Sequence, residues 1–232
     1  MTQPINLSRG LEAWYDLGSA YYDSQQNRMQ DKSGYGLQVE AEGGPTVGVA
    51  GPGEFEATQM DDVDDQFVAD DFIVGDSTLS FFTLLKIDAV DDDSIPAIFG
   101  NDGLTGNGVV LYISNADDSI GEGSFELRYY NDGEHNGARS ATQTPITDQW
   151  IPVVGSVTDN EVRLEAFDEV VTTSKEVPWG TPDENMSLNN WYSGAARHTE
   201  QTMAVSAFWS RELNIPEREY LKNITGPQRS ML

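Results

Sequence analysis

Apolar and polar residues alternate with a period of two in stretch after stretch of this chain. Phe81, Thr83, Leu85 and Ile87 fall on one side of a run whose other side carries Phe82, Leu84, Lys86 and Asp88. Val109, Leu111 and Ile113 alternate with Val110 and Tyr112, and Phe125, Leu127 and Tyr129 with Glu126, Arg128 and Tyr130. Val162, Leu164 and Ala166 alternate with Arg163, Glu165 and Phe167, and Met203, Val205, Ala207 and Trp209 close the series. A strand shows successive side chains to opposite faces, so such runs predict half-buried strands of antiparallel sheets. Turn-forming clusters bound them: Gly43-Gly44-Pro45, Gly51-Pro52-Gly53, Asn101-Asp102-Gly103 and Asn131-Asp132-Gly133. Thr158-Asp159-Asn160-Glu161, between two strand-like runs, predicts a tight hairpin.

One helix is predicted, from Pro216 to Asn223. Asn214 or Ile215 would cap it, and Pro216 suits a first helical position. Glu217 and Glu219 complement the dipole in the first turn, Tyr220, Leu221 and Ile224 form an apolar stripe, and Gly226-Pro227 ends it. There is no long linker and no internal repeat. The expectation is therefore all-β: two antiparallel sheets packed face to face, with one short C-terminal helix. Residues 1–9 read as an N-terminal extension, 10–224 as the sandwich and 225–232 as a tail.

Charge narrows the partners. Asp and Glu number 39 against 13 Lys and Arg, for a formal charge of −26. A nucleic acid needs basic contacts, and an anionic membrane surface repels such a chain, so neither is expected as a partner. The acids are spread along the chain, as in Asp61-Asp62, Asp91-Asp92-Asp93 and Asp117-Asp118, rather than gathered in a tail. At molar salt the Debye length falls to about 3 Å, which screens self-repulsion. A diffuse acidic surface with only four lysines thus reads as the solvation strategy of a halophilic protein. The chain has no cysteine and two histidines, His135 and His198, so disulfides, thiol catalysis and His-rich metal sites are excluded.

Several segments, in order, resemble a known family. Gly10-Leu11-Glu12-Ala13-Trp14-Tyr15 resembles the opening strand of the laminin-G-like, concanavalin A-like sandwiches. Asp31-Lys32-Ser33-Gly34-Tyr35-Gly36 is similar to the Asp-Ser-Ser-Gly-Asn-Gly turn that follows it there. Met60-Asp61-Asp62-Val63-Asp64-Asp65-Gln66-Phe67-Val68 resembles the Phe-Asp-Gly-Val-Asp-Asp-Tyr-Val strand, with Asp62 in place of the glycine. Phe82-Thr83-Leu84-Leu85-Lys86 resembles the next core strand. Trp150 to Val171 is similar to the hairpin written Trp-His-His-Val…Leu-Tyr-Val-Asp-Gly, with Phe167-Asp168-Glu169 replacing its turn. Ala207-Phe208-Trp209-Ser210-Arg211-Glu212-Leu213 resembles the last strand and the lead into its helix. The resemblance covers residues 10–224. It implies a jelly-roll of two antiparallel sheets that recognises carbohydrate or protein surfaces, a fold that also hosts glycosidases.

A related glucanase family sets its acids as Glu-x-Asp-x-x-Glu on one strand face. The nearest run here, Glu165-Ala166-Phe167-Asp168-Glu169, would point Glu165 and Asp168 to opposite faces, so no catalytic residue is assigned. Asp61, Asp62, Asp64 and Asp65 are hard oxygen donors of the kind Ca²⁺ prefers, but no Asp-x-Asp-x-Asp-Gly loop exists. Ca²⁺ is the one cofactor left open, and a solvated acidic strand edge is the simpler reading. Rings that stack on sugars while Asn and Asp bond the hydroxyls are the remaining candidates. Trp191 and Tyr192 follow Asn189 and Asn190 in a loop-like stretch. Trp179 lies in the turn-rich Pro178-Trp179-Gly180, and Tyr130 stands beside Asn131 and Asp132. These eight residues form the expected ligand-binding set. Trp14, Trp150 and Trp209 are expected in the core.

The N-terminus lacks the basic and apolar regions of a secretory signal. If Met1 is the true start, release into the cytoplasm is expected. A binding sandwich made inside without an address fits a virion component freed by lysis. The leading expectation is a non-enzymatic surface protein of a virus particle, a capsid decoration or tail component of a tailed virus of a halophile. It would be homo-oligomeric, contact other virion proteins and bind a host-surface glycan or glycoprotein. A stand-alone carbohydrate-binding module of a halophile is the alternative, and a glycoside hydrolase comes third.

Overall fold

A computed structural model describes residues 5–53, 55–62, 64–69, 77–89, 97–101, 107–114, 123–143, 149–180, 185–190 and 200–224. In chain order the strands are β1 (Leu11–Asp16), β2 (Tyr22–Asp23), β3 (Arg28–Met29), β4 (Val39–Glu42), β5 (Thr46–Ala50) and β6 (Glu56–Met60). Then come β7 (Gln66–Ala69), β8 (Leu79–Ala89), β9 (Ala97–Gly100), β10 (Gly108–Ile113), β11 (Ser124–Asn131) and β12 (Glu134–Gln143). The last are β13 (Ile151–Val157), β14 (Glu161–Ala166), β15 (Glu169–Ser174), β16 (Ser187–Leu188) and β17 (Glu200–Trp209), followed by the helix α1 (Ile215–Lys222).

They form two antiparallel sheets. The first is ordered β15-β14-β13-β8-β17-β6-β5, with β1 also paired to β17, and the second β12-β11-β10-β9-β16-β7-β4-β3-β2. β17 meets β8 along one edge; along the other it meets β6 near Gln201–Met203 and β1 near Val205–Trp209. The alternation read from sequence sorts as expected. Phe81, Leu85 and Ile87 of β8 join Val109, Leu111, Ile113, Phe125, Leu127 and Tyr129 in the core between the sheets. Phe99 bridges that core edge-on, 4.8 Å from Phe81 and 5.3 Å from Phe208. The opposite face of β8 is not solvated. Phe82 and Leu84 lie in a second cluster with Trp14, Val205, Trp209, Leu213 and Leu221, under α1. Trp14 and Trp209 meet edge to face at 6.2 Å.

Two polar devices fix the framework. In the turn between β3 and β4, Asp31 Oδ1 accepts from the amides of Trp14 (2.9 Å) and Ser33 (2.8 Å), and Oδ2 from Gly36 N and Leu37 N. One carboxylate thus organises the turn singled out in sequence. In α1, Asn214 is the N-cap: its side chain accepts from Glu217 N (3.0 Å), while Glu217 accepts from Asn214 N (2.9 Å), a reciprocal capping box. Arg211 grips the same carboxylate at 2.7 and 2.9 Å and also donates to Asn6 O, and Trp209 Nε1 donates to Leu7 O. Asn6 and Leu7 are thereby pinned to the sandwich.

Candidate functional site

Three chain segments meet at one end of the sandwich: the β11–β12 turn, the β13–β14 turn and residues 175–180 beyond β15. The β11–β12 turn places Asp132 at φ +51° and Gly133 at +79°, the left-handed pair of a two-residue hairpin. Asp132 N donates to Asn107 Oδ1 at 2.7 Å, tying the turn to the entry of β10. Segment 175–180 is shaped by side chains of the other sheet. Asn136 Oδ1 accepts from Glu176 N and Val177 N, both at 2.8 Å. The Tyr129 hydroxyl donates to Pro178 O (3.2 Å) and accepts from Gly180 N (2.5 Å).

This clamp positions Trp179. The indole is half-buried, sits edge-on to Tyr129 at 5.0 Å and donates from Nε1 to Asp159 Oδ1 at 2.6 Å. Lys175 Nζ lies 4.0 Å from its ring centre and donates to Val177 O. Burial pushes the Lys175 ammonium below its ordinary pKa, with Asp159 pulling the other way. Asn131 lies against Gly180, where a Cβ would collide with its side-chain amide. The rim therefore gathers one partly exposed indole with Asp159, Asn131, Asp132 and Asn107. A flat apolar face fringed by fixed carboxylates and amides suits a polyhydroxylated ligand.

Of the eight residues expected from sequence, Trp179, Asn131 and Asp132 come together here. Tyr130 lies nearby but on the opposite face of β11, stacked on His135 at 5.2 Å and accepting from Arg128 Nη1 at 3.1 Å. Tyr129, whose odd-numbered parity turns it inward, holds Trp179 instead. Asn189 and Asn190 depart from the expectation of a solvent-facing platform. Both are buried. Asn189 Nδ2 donates to Asp65 O (2.8 Å), its Oδ1 accepts from Gln201 (2.6 Å), and Asn190 Nδ2 donates to Gln66 Oε1 (3.0 Å). Buried amides must be satisfied internally, and these tie the β16 end to β7 and β17. Trp191 and Tyr192 lie outside the described residues.

The acidic quartet also turns inward in part. Asp65 is buried, and its Oδ2 accepts from Asp61 N and Asp62 N at 3.1 Å each. Burial raises its pKa more than those amides lower it. Among the described residues no three carboxylate or imidazole side chains converge as a metal would require. Glu165 is likewise committed. It is 2% exposed and accepts from Arg163 Nε (2.9 Å), Arg218 Nε (2.7 Å) and Lys222 Nζ (3.0 Å). Burial alone would raise its pKa; hydrogen bonds from Lys222 and Arg163 and the nearby cationic charges more than reverse that, leaving it below the ordinary carboxylate value. Asp168 sits outside the strand, in the β14–β15 turn at φ +62° beside Phe167 at +51°. At this far end, a pocket of about 220 Å³ opens between α1 and β13, lined by Trp150, Pro152, Phe167, Lys222 and Asn223. Trp150, expected in the core, is half-buried at its wall.

These elements define an all-β, two-sheet antiparallel sandwich of the jelly-roll type. Among solved structures it is similar to the binding domain of Paraclostridial mosquitocidal protein 1, with a TM-score of 0.73, 12% identity, and 94% of this chain covering 53% of that one. It is also similar to the binding domain of botulinum neurotoxin DC, solved in complex with rat synaptotagmin II (TM-score 0.68, 10% identity, 96% of this chain and 53% of that one) and with SialylT (TM-score 0.67, 11% identity, 96% and 53%). This chain spans about half the length of those chains, and likeness at such identities establishes the fold. No protein-family model matches the sequence, and no curated protein matches it.

Proposed function

We propose that this chain is a non-enzymatic recognition module that offers the Trp179 rim to a host-surface glycan or glycoprotein. The observation that carries the reading is the indole itself: half-exposed, anchored through Asp159, and bordered by Asn131 and Asp132. The two buried or turn-bound acids of the Glu165–Asp168 run lack the facing geometry of a glycosidase pair. The similar toxin domains are binding domains, and one was solved in complex with rat synaptotagmin II and with SialylT, which supports recognition over catalysis. We place the module in the laminin-G-like group and on a virus particle of a halophile, on the sequence segments and the −26 charge.

The test pairs binding with melting. Wild type and Trp179→Ala are titrated with purified host-surface glycoprotein and its released glycans at molar salt. Single-site affinity on the order of millimolar to micromolar is expected, raised by multivalent display. Because Trp179 is only half-buried, its loss should cost less than the 3–5 kcal/mol of a fully buried aromatic, so the variant remains folded. Binding lost with the fold retained is the expected result. Unchanged affinity retires the rim, and release of free sugar retires the non-enzymatic reading. Mass spectrometry of purified particles checks the virion assignment.

A further inference from the structure

The pocket at the far end of the sandwich has no part in the Trp179 rim. It lies between the entry of β13, the β14–β15 turn and the last turn of α1, at the end of β14 opposite Asp159. Its volume of about 220 Å³ falls below the roughly 300 Å³ at which sites for drug-sized ligands begin, so it suits one ring rather than a chain. Trp150 and Phe167 supply aromatic walls, and Gln149, Asp168, Lys222 and Asn223 supply polar ones.

The backbone of the turn is not relaxed. Phe167 (φ +51°) and Asp168 (φ +62°) both sit in the left-handed region, in a two-residue turn where Asn-Gly is the favoured pair. Packing accounts for Phe167, whose ring meets Phe125 of the other sheet at 5.4 Å. Nothing comparable accounts for Asp168. It is exposed, and among the described residues its carboxylate has no hydrogen bond or ion pair. A left-handed position held by a side chain with no partner in the fold points to a function for that side chain.

Other polar groups around the cavity are open too. The half-buried Trp150 indole N–H has no acceptor among the described residues, and the Gln149 side-chain amide has no partner there. Lys222 Nζ directs two of its three donors to Glu165 Oε2 (3.0 Å) and Glu219 Oε1 (2.7 Å). Asn223 Nδ2 donates to Glu219 O at 2.6 Å, which leaves its Oδ1. These groups select the charge of a ligand. An anion would face Asp168, Glu219 and the carbonyl end of α1, on a chain of −26. A cation would meet the Lys222 ammonium and could not accept from the Trp150 or Lys222 N–H groups. A neutral polyhydroxylated ring satisfies both kinds of group. Its hydroxyl oxygens accept from Trp150, Lys222 and Gln149, its hydroxyl protons go to Asp168 and Asn223 Oδ1, and its apolar face lies on an aromatic wall.

We propose that the cavity between α1, β13 and the β14–β15 turn is a carbohydrate site for a single neutral pyranose residue, separate from the Trp179 rim and independent of it. Trp150 serves as ring and donor, and Asp168 as the charged acceptor.

Methyl pyranosides of glucose, galactose, mannose and N-acetylglucosamine are titrated against the full chain in molar salt. The readouts are the indole N–H signals in proton–nitrogen NMR, with Trp150 assigned through Trp150→Phe, and saturation transfer from protein to sugar. At least one sugar should shift the Trp150 signal saturably, with Kd on the order of millimolar, and leave the Trp179 signal in place. Asp168→Asn keeps a residue that accepts the left-handed turn and removes the charge, so affinity should fall about tenfold with melting unchanged. Trp150→Phe, which keeps a ring and removes the N–H, should also weaken saturation transfer, and Trp179→Ala should leave affinity at wild type. Tetramethylammonium and inorganic phosphate should not displace the sugar. The site is overturned if none of the sugars shifts the Trp150 signal up to about 50 mM, well above the expected Kd. It is equally overturned by binding that survives both Asp168→Asn and Trp150→Phe, by displacement with either ion, or by binding that Trp179→Ala abolishes, which assigns the sugar to the rim.

Discussion

Replacing Glu165 by Gln should loosen the attachment of α1 to the sandwich, and the size of the effect follows from the geometry. The carboxylate is 2% exposed and holds Arg163, Arg218 and Lys222 within 3.0 Å. Gln keeps the shape but leaves three cations around a neutral amide. Breaking a buried ion pair by removing one partner costs about 3–5 kcal/mol. The cationic side chains are 10–21% exposed, so water relieves part of that, and a loss of about 2–3 kcal/mol is expected. For a chain of this size each kcal/mol moves Tm by roughly 2–4 °C, so a drop of roughly 4–12 °C is expected at pH 7. The sign with pH is fixed by the depressed carboxyl. Its stabilising contribution is complete above the unfolded carboxylate value near 4.5 and is lost as pH falls through the lower folded value. Below that point Glu165 is neutral like Gln, and the two melting curves should converge. Relief of the general acidic repulsion affects both proteins equally and cancels in the difference. Thermal melts of the pair from pH 7 to pH 3 in molar salt make the measurement. Equal Tm values at pH 7, or a gap that stays constant down to pH 3, would refute the reasoning.

Melting temperature should rise steeply between low and molar KCl, since the −26 charge is screened over that range, and a flat profile would remove the halophilic reading. Asn189→Ala should lose about 1–3 kcal/mol, because Asp65 O and Gln201 are left without their buried partner, while glycan affinity stays at wild type; weakened affinity in a folded variant would return Asn189 to the binding site. Asp168→Gly should stabilise by about 0.4–1 kcal/mol in chemical denaturation, as glycine takes φ +62° without strain, and a loss of stability would show that the Asp168 side chain has a structural role.

The parts legible in sequence were those written by local rules. Phe81 to Ile87 announced a strand by parity, Asn131-Asp132-Gly133 announced its turn by the conformations Asp and Gly accept, and Asn214 with Glu217 announced the start of α1. Trp179 stood out as an aromatic in a turn-rich segment. Its supports Asp159 and Tyr129 did not, because they arrive from the β13–β14 turn and from β11. The burial of Asn189 and Asn190 is hidden for the same reason. Two asparagines before two aromatics look like an open loop until Asp65, Gln66 and Gln201 supply the buried partners. Glu165 had the spacing of a failed catalytic pattern, and only the placement of α1 over β14 shows it as an ion-pair hub. Polar groups paired across great sequence distance leave no periodic trace.

The position of β17 sets a schedule for making the protein. Residues 200–209 form the middle of the eight-stranded sheet, bordered by β8, β6 and β1. Until they have left the ribosome, the nascent chain holds β8 and β6 with a strand-wide gap between them and β1 with nothing to pair to. Folding of that sheet therefore waits for β17, it must close the long loop from β1 to β17, and it should be slow. In the interval Phe82, Leu84 and Trp14 have no lid, so the growing polypeptide depends on its dense negative charge, or on a chaperone, to keep unfinished copies apart.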